Sequence, residues 1–453
     1  LALQGAGTIA TSSLVSIDKD AKFDISGTNN GASVTDIGGA GGITLGDKTL
    51  TLTQANPDTV YQGVITGKGG LTISGGTETL TGQNTYEGIT QVDQGAGLNL
   101  NGGSLAGSLQ NDGTATINGG TVNGVTTNTN TLTATGGTLA SAINSGTMTL
   151  QGKSTVQSDV TQKAGSLTLD DSTINGKLAA DGGSFNVGQN GASVGSLSGN
   201  AGGSLAEGGT LTLTNAKAGD SYDGVLTGKG GLTIAGGTET LTGQNTYEGT
   251  TQVNKDAGLK LSGSLAGALT NDGTTTINGG TVNNTTTNTY DLDVTGGTLS
   301  DLINKSGKAT IENGSTVKGT TTNSATLDVT DSKLQDLQNN AGQATLSDSM
   351  LASATNSGTL KLQGESKVQG DVTQNNGLLT LQDESNVQGN ITQNDGTVKL
   401  LDGSTVQGSV TQKAGTLTLD DSTINGKLAA NGGSFNIDQN GASVGSLSGN
   451  AGG

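Results

Sequence analysis

Four glycines, Gly358, Gly377, Gly396 and Gly415, open successive stretches of the chain at a spacing of 19 residues. The stretches read SGTLKLQGESKVQGDVTQNN, GLLTLQDESNVQGNITQND, GTVKLLDGSTVQGSVTQKA and GTLTLDDSTINGKLAANG. Apolar residues keep the same step. Leu360, Leu379, Val398 and Leu417 form one column, and Leu362, Leu381, Leu400 and Leu419 a second. Val368, Val387, Val406 and Ile424 form a third, and Val372, Ile391, Val410 and Leu428 a fourth. A fixed internal period constrains the fold more than any local propensity, because every unit must then adopt one repeated structure.

Each unit reads as an apolar-polar-apolar strand followed by one or two short extended pieces, punctuated by Gly, Asn, Asp and Ser turns. Alone it exposes four apolar side chains and all its backbone hydrogen-bonding groups, so it makes no core. Stacked coil on coil, each rung pairs with its neighbours at ~4.8 Å and the apolar columns fuse into one narrow core. The spacing therefore predicts an all-β chain, a right-handed parallel β-helix of about 19 residues per rung. On that basis 453 residues make about 24 rungs, or a rod of ~110 Å.

Composition agrees with a narrow core. The chain has 80 Gly, one Pro (Pro57), no Cys, no Trp, no His and no Arg, with aromatics at 2%. A crude hydropathy test would place such a chain near disorder, but its apolar residues are β-branched or Leu at regular intervals and its Thr suits a pleated surface. The net charge of -18 disfavours nucleic acid and anionic membrane surfaces. Without His or Cys there is no Ser-His-Asp or Cys-His nucleophile system and no ordinary zinc site. Ser221, in GDSY at 219–222, has no histidine to activate it. Lys is the only base-forming cation and no compact acid cluster accompanies one, so we expect no enzyme, no cofactor and no metal centre.

A longer repeat overlies the short one. GASV at 31 returns at 191 and 441, and VTQKAGSLTLDDSTINGKLAADGGSFNV at 160–187 returns at 410–437 with few changes. We expect one continuous β-helix over 1–453, with long-repeat units at about 31–190 and 191–440 and a third starting at 441. The stop at SLSGNAGG, where the first copy runs on into SLAEGGTLTLT, leads us to expect a piece of a longer repetitive protein.

Outward positions give the candidate sites. Lys361, Thr380, Lys399 and Thr418 lie between inward Leu columns, Thr373, Thr392 and Thr411 follow inward Val or Ile, and Gln369, Gln388 and Gln407 make a further row. Such rows either bond rung to rung or face a second rod, where many weak polar contacts add. Asp383, Asp402 and Asp421 are also equivalent in the frame; they read as solvated turn residues or as a strip for a cation or partner.

The segment GKGGLTISGGTETLTGQNTYEGITQVDQGAGLNLNGG at 67–103, with its copy from 228, resembles the autotransporter-associated β-strand repeat. Matching residues include Gly70, Leu71, Thr72, Leu80, Gly82, Asn84, Tyr86, Gly88 and Val92, then Gly231, Leu241, Asn245, Tyr247, Gly249 and Val253. The match covers two segments of about 37 residues, and Glu78 and Glu239 stand where the family has Leu. The resemblance implies a secreted passenger of a Gram-negative autotransporter (type V secretion), exported through the periplasm and outer membrane by a C-terminal barrel that this sequence lacks. An absence of Cys fits that export route. In NTYEG, Tyr86 and Tyr247 are expected to pack over a rung as structural residues. The expected function is a cell-surface adhesin whose rods associate with copies on neighbouring cells, driving aggregation and biofilm formation. The alternatives are heterotypic adhesion to host glycans or matrix protein, a role in virulence that would need a localised groove, and a passive stalk for a more N-terminal tip.

Overall fold

The computed structural model describes residues 1–452, and among them there is no helix. The chain is a parallel β-solenoid whose stacked coils lie about 18 residues apart. It divides into two compact units, Leu1–Leu232 and Thr233–Gly453.

In the second unit one coil consists of Thr397–Leu400, Thr405–Val406 and Val410–Gln412. Each strand pairs in parallel and in register with its counterpart on the next coil. Leu379, Val398 and Leu417 are direct neighbours, as are Val387, Val406 and Ile424, and Ile391, Val410 and Leu428. The four apolar columns read from the sequence are thus the core, and every member is buried. The glycine spacing has a local cause. Gly377, Gly396 and Gly415 have φ of 69°, 77° and 77°, a left-handed turn that residues with a side chain adopt at a cost.

The period is looser than 19. Asn128 and Asn144, in register on adjacent coils, are 16 residues apart, whereas Ser204 and Thr227, also in register on adjacent coils, are 23 apart. Turns absorb the difference while the strands keep register.

In the first unit the long repeat does not span a whole number of coils. Lys22–Thr28 pairs with Gly42–Thr44. Its repeat counterpart, Ser184–Val187, belongs instead to the sheet that contains Val15–Ile17 and Ile37–Gly39. Copies of one sequence therefore occupy different faces of the stack. Tyr61, Tyr86 and Tyr222 fill this core with no exposed surface, and Tyr222 meets Phe185 edge to face at 6.0 Å.

Candidate functional site

The NTYEG segments are interior struts. Asn84 sits on the short strand Gln83–Asn84, accepts a hydrogen bond from the Ile65 amide one coil earlier and donates to the Gly82 carbonyl. Tyr86 and Tyr247 are fully buried, and their hydroxyls bond to Thr90 and Thr251. At Gly88 an added Cβ would lie 2.3 Å from the Gly69 carbonyl oxygen, so only glycine fits there. Gly249 brings its own carbonyl oxygen within 2.0 Å of where a Cβ on Gly267 would be. Asn245, like Asn84, is buried and donates to the carbonyl two residues before it.

Glu78 lies on Thr77–Leu80 and points inward beside Leu98 of the next coil. Both its oxygens are buried without a hydrogen-bond partner. Burial first, and the neighbouring Asp36 second, push its carboxyl up to about 10. Burial and the Glu78 charge push the Tyr61 phenol upward too. Glu239, the repeat counterpart, is equally buried.

Rung-to-rung bonding comes from residues that periodicity alone did not single out. In the second unit Asn271, Asn288, Asn304, Asn323, Asn339 and Asn356 are buried in one column, and each Nδ2 donates to the carboxamide oxygen of the next at 2.7–2.9 Å. Asn356 hands on to Gln374 at 2.7 Å, and Gln393 and Gln412 follow in register. Asn111, Asn128, Asn144 and Gln162 form a shorter row in the first unit. The available signal was strand alternation: Gln374 stands two residues after inward Val372 and so shares its face.

Thr373, Thr392 and Thr411 stack in register on the outer surface, half-exposed, and their hydroxyls make no hydrogen bond within the described residues. Gln369, Gln388 and Gln407 are exposed. Lys361, Thr380, Lys399 and Thr418 are also in register on the outward face, where Thr380 is the most covered of the four. It retains only 9% of its surface and stands in register between Lys361 and Lys399.

Asp383, Asp402 and Asp421 are exposed corner residues with left-handed φ of 53°, 52° and 44°. Their role visible in the stack is backbone bonding. The Asp402 carbonyl accepts from the Glu384 amide at 2.9 Å and the Asp421 carbonyl from the Gly403 amide at 2.6 Å. Asp tolerates this conformation better than most residues with a side chain. Among the described residues no group of three acids is placed to hold a metal ion.

Two polar grooves recur with the long repeat in the first unit. One, of about 430 Å³, is lined by Asn190, Gly191, Ser193, Thr210 and Thr212 together with Lys153 and Asp171. The other, of about 360 Å³, is lined by the equivalent Asn30, Gly31, Ser33, Thr49 and Thr51. Neither was legible beforehand, because each is assembled from successive coils.

No family model, no curated protein and no solved structure matches the chain.

Proposed function

We propose that this chain is the passenger region of a bacterial autotransporter, exported through the periplasm and outer membrane by a C-terminal barrel, and that it acts at the cell surface as a self-associating adhesin in aggregation and biofilm formation. The observation that carries the reading is a solvent-facing row of hydroxyls without protein partners. The stack turns every outward position into a row with one residue per coil, and the row Thr373, Thr392 and Thr411 keeps its hydroxyls free of protein partners. Each such contact is weak, but repetition along a face and among many chains on two cells multiplies it. On these coils interior amides already bond to the next coil, Gln393 to the Thr416 carbonyl and Gln412 to the Ser434 carbonyl, so stacking does not depend on the hydroxyl row. The resemblance around Tyr86 and Tyr247 and the lack of Cys support the autotransporter class. The test is sedimentation velocity from micromolar to near-millimolar protein. A sedimentation coefficient that grows with concentration supports the reading, and one that stays constant defeats it.

A second reading has an observation of its own. The recurring grooves offer hydroxyls and a carboxamide but no aromatic ring, and the one at Asn190 adds Lys153 and Asp171, which balance in charge, a lining suited to weak binding of a neutral glycan. Titration with neutral oligosaccharides, followed by saturation-transfer NMR, tests it; loss of signal in Thr212→Val with Thr51→Val is the expected result.

A further inference from the structure

The central outward row of one face of the second unit carries a pattern that only the three-dimensional register reveals. Its strands are Thr274–Asn278, Asp291–Thr295, Lys308–Glu312, Thr326–Thr330, Gln343–Ser347, Thr359–Gln363, Leu378–Leu381, Thr397–Leu400 and Thr416–Leu419. Consecutive strands are parallel neighbours, and their middle outward residues are in register. Read along the stack, those residues are Thr276, Asp293, Thr310, Asp328, Thr345, Lys361, Thr380, Lys399 and Thr418. From Thr276 to Thr418 threonine alternates with a charged residue, acidic on one side of Thr345 and basic on the other; exposed Lys260 precedes Thr276 in the row and Asn436 follows Thr418, so the reversal sets that lysine against an amide.

The row is antisymmetric about Thr345. Reversed end to end, it sets Asp293 against Lys399 and Asp328 against Lys361, with threonine facing threonine elsewhere. We propose that this face is an isologous docking surface for a second copy of the chain, laid antiparallel about a two-fold axis through Thr345. The proposal rests on the self-association reading, places the contact on the face next to the Thr373, Thr392 and Thr411 row, and adds a register and a direction.

Three physical arguments carry it. First, a two-fold interface requires one patch to complement itself, and the row does so only in the reversed sense. In the parallel sense each acid would oppose an acid and each lysine a lysine. Second, over these nine coils the row is neutral, two Asp balancing two Lys, and Lys260 beyond them adds only a positive charge in a chain of net charge -18, so repulsion is least where the copies touch. Third, the flanking rows add no clash. The same reversal brings Lys308 to Leu378, Asp291 to Thr397 and Glu312 to Gln382, and no like charges meet. Of the four charged groups, Asp293, Lys361 and Lys399 have no ion-pair partner in the described chain, while Asp328 holds Lys308 at 3.2 Å. Nine coils at ~4.8 Å and strands of four or five residues at ~3.3 Å per residue give a face of about 700 Å². That is below the ~800 Å² per partner of a stable dimer, so the contact is weak and is used many at a time.

Cysteine is absent from the sequence, which makes the register directly testable in the full chain. Thr345→Cys should cross-link to itself under mild oxidation, because the two-fold axis brings the two copies of that position together. Thr276→Cys and Thr418→Cys should cross-link poorly alone and efficiently when mixed. Charge reversal gives a second readout by sedimentation: Asp293→Lys or Lys399→Asp alone should weaken association about tenfold, and the double variant should recover it. Circular dichroism confirms that each variant folds. If the wild type associates but Thr345→Cys gives no dimer and the reversals change nothing, this face is wrong while self-association stands. If the wild type does not associate at all, both fall.

Discussion

Glu78 is the residue most at odds with its surroundings, an acid in a column where Leu98 follows it on the next coil. Its carboxyl moves from an ordinary 4.5 to about 10 on folding, so the folded chain holds this proton more tightly than the unfolded one. The associated stability is complete below pH 4.5 and is lost progressively as pH rises towards 10. At ~1.4 kcal/mol per unit, holding the proton at pH 7 costs on the order of 3 kcal/mol. Thermal unfolding of the wild type should therefore move to lower temperature between pH 5 and pH 9. Glu78→Leu should raise the midpoint at neutral pH and flatten that slope; an unchanged slope would show that the carboxyl does not titrate on unfolding. The sequence marked the position as unusual, since Leu was expected there. What it did not carry was the cause of the perturbation, because Asp36 reaches Glu78 only after two coils are wound.

Among the elements, the buried amide rows are the clearest device. A carboxamide donates and accepts at once, so a column of them satisfies itself from coil to coil where apolar residues would leave the turn carbonyls unpaired. Asn304, for example, donates to Asn323 and to the Thr326 carbonyl, both at 2.8 Å. The two units start their rows differently. The Asn271 oxygen accepts from the Thr275 hydroxyl at 2.8 Å, whereas the Asn111 oxygen is buried without a partner because Ala115 occupies the equivalent place. Thr275→Ala should cost about 1–2 kcal/mol of stability, and Ala115→Thr should return a similar amount to the first unit. Denaturant unfolding of the two variants checks both signs. Strand positions and inward columns were legible because period-2 alternation and the 19-residue step agree over 358–428. The amide rows were not, because polarity argued outward while alternation placed Gln374, Gln393 and Gln412 inward; there Gln393 and Gln412 donate to turn and next-coil carbonyls, and their own oxygens are buried without a partner.

Across the whole molecule, charge sets the conditions under which any self-contact forms. With -18 overall and no histidine, copies repel at long range, while ion pairs at a docked face act over a few ångströms. At 0.15 M salt the Debye length is ~8 Å, short enough to quench the first effect and leave much of the second. Association should thus strengthen from very low to physiological salt and weaken again near 1 M, a maximum that sedimentation at graded salt would locate. The coil stack was readable from spacing alone, yet the grooves and the antisymmetric row were not, since both depend on which residues of distant coils become neighbours. One feature of the first unit bears on all such surfaces. Because its long repeat falls short of a whole number of coils, duplication there turns each new copy about the axis as well as moving it along. A patch copied in this way acquires a new azimuth, so the grooves at Asn30 and Asn190 look out in different directions, and a partner arriving from either side meets the same chemistry.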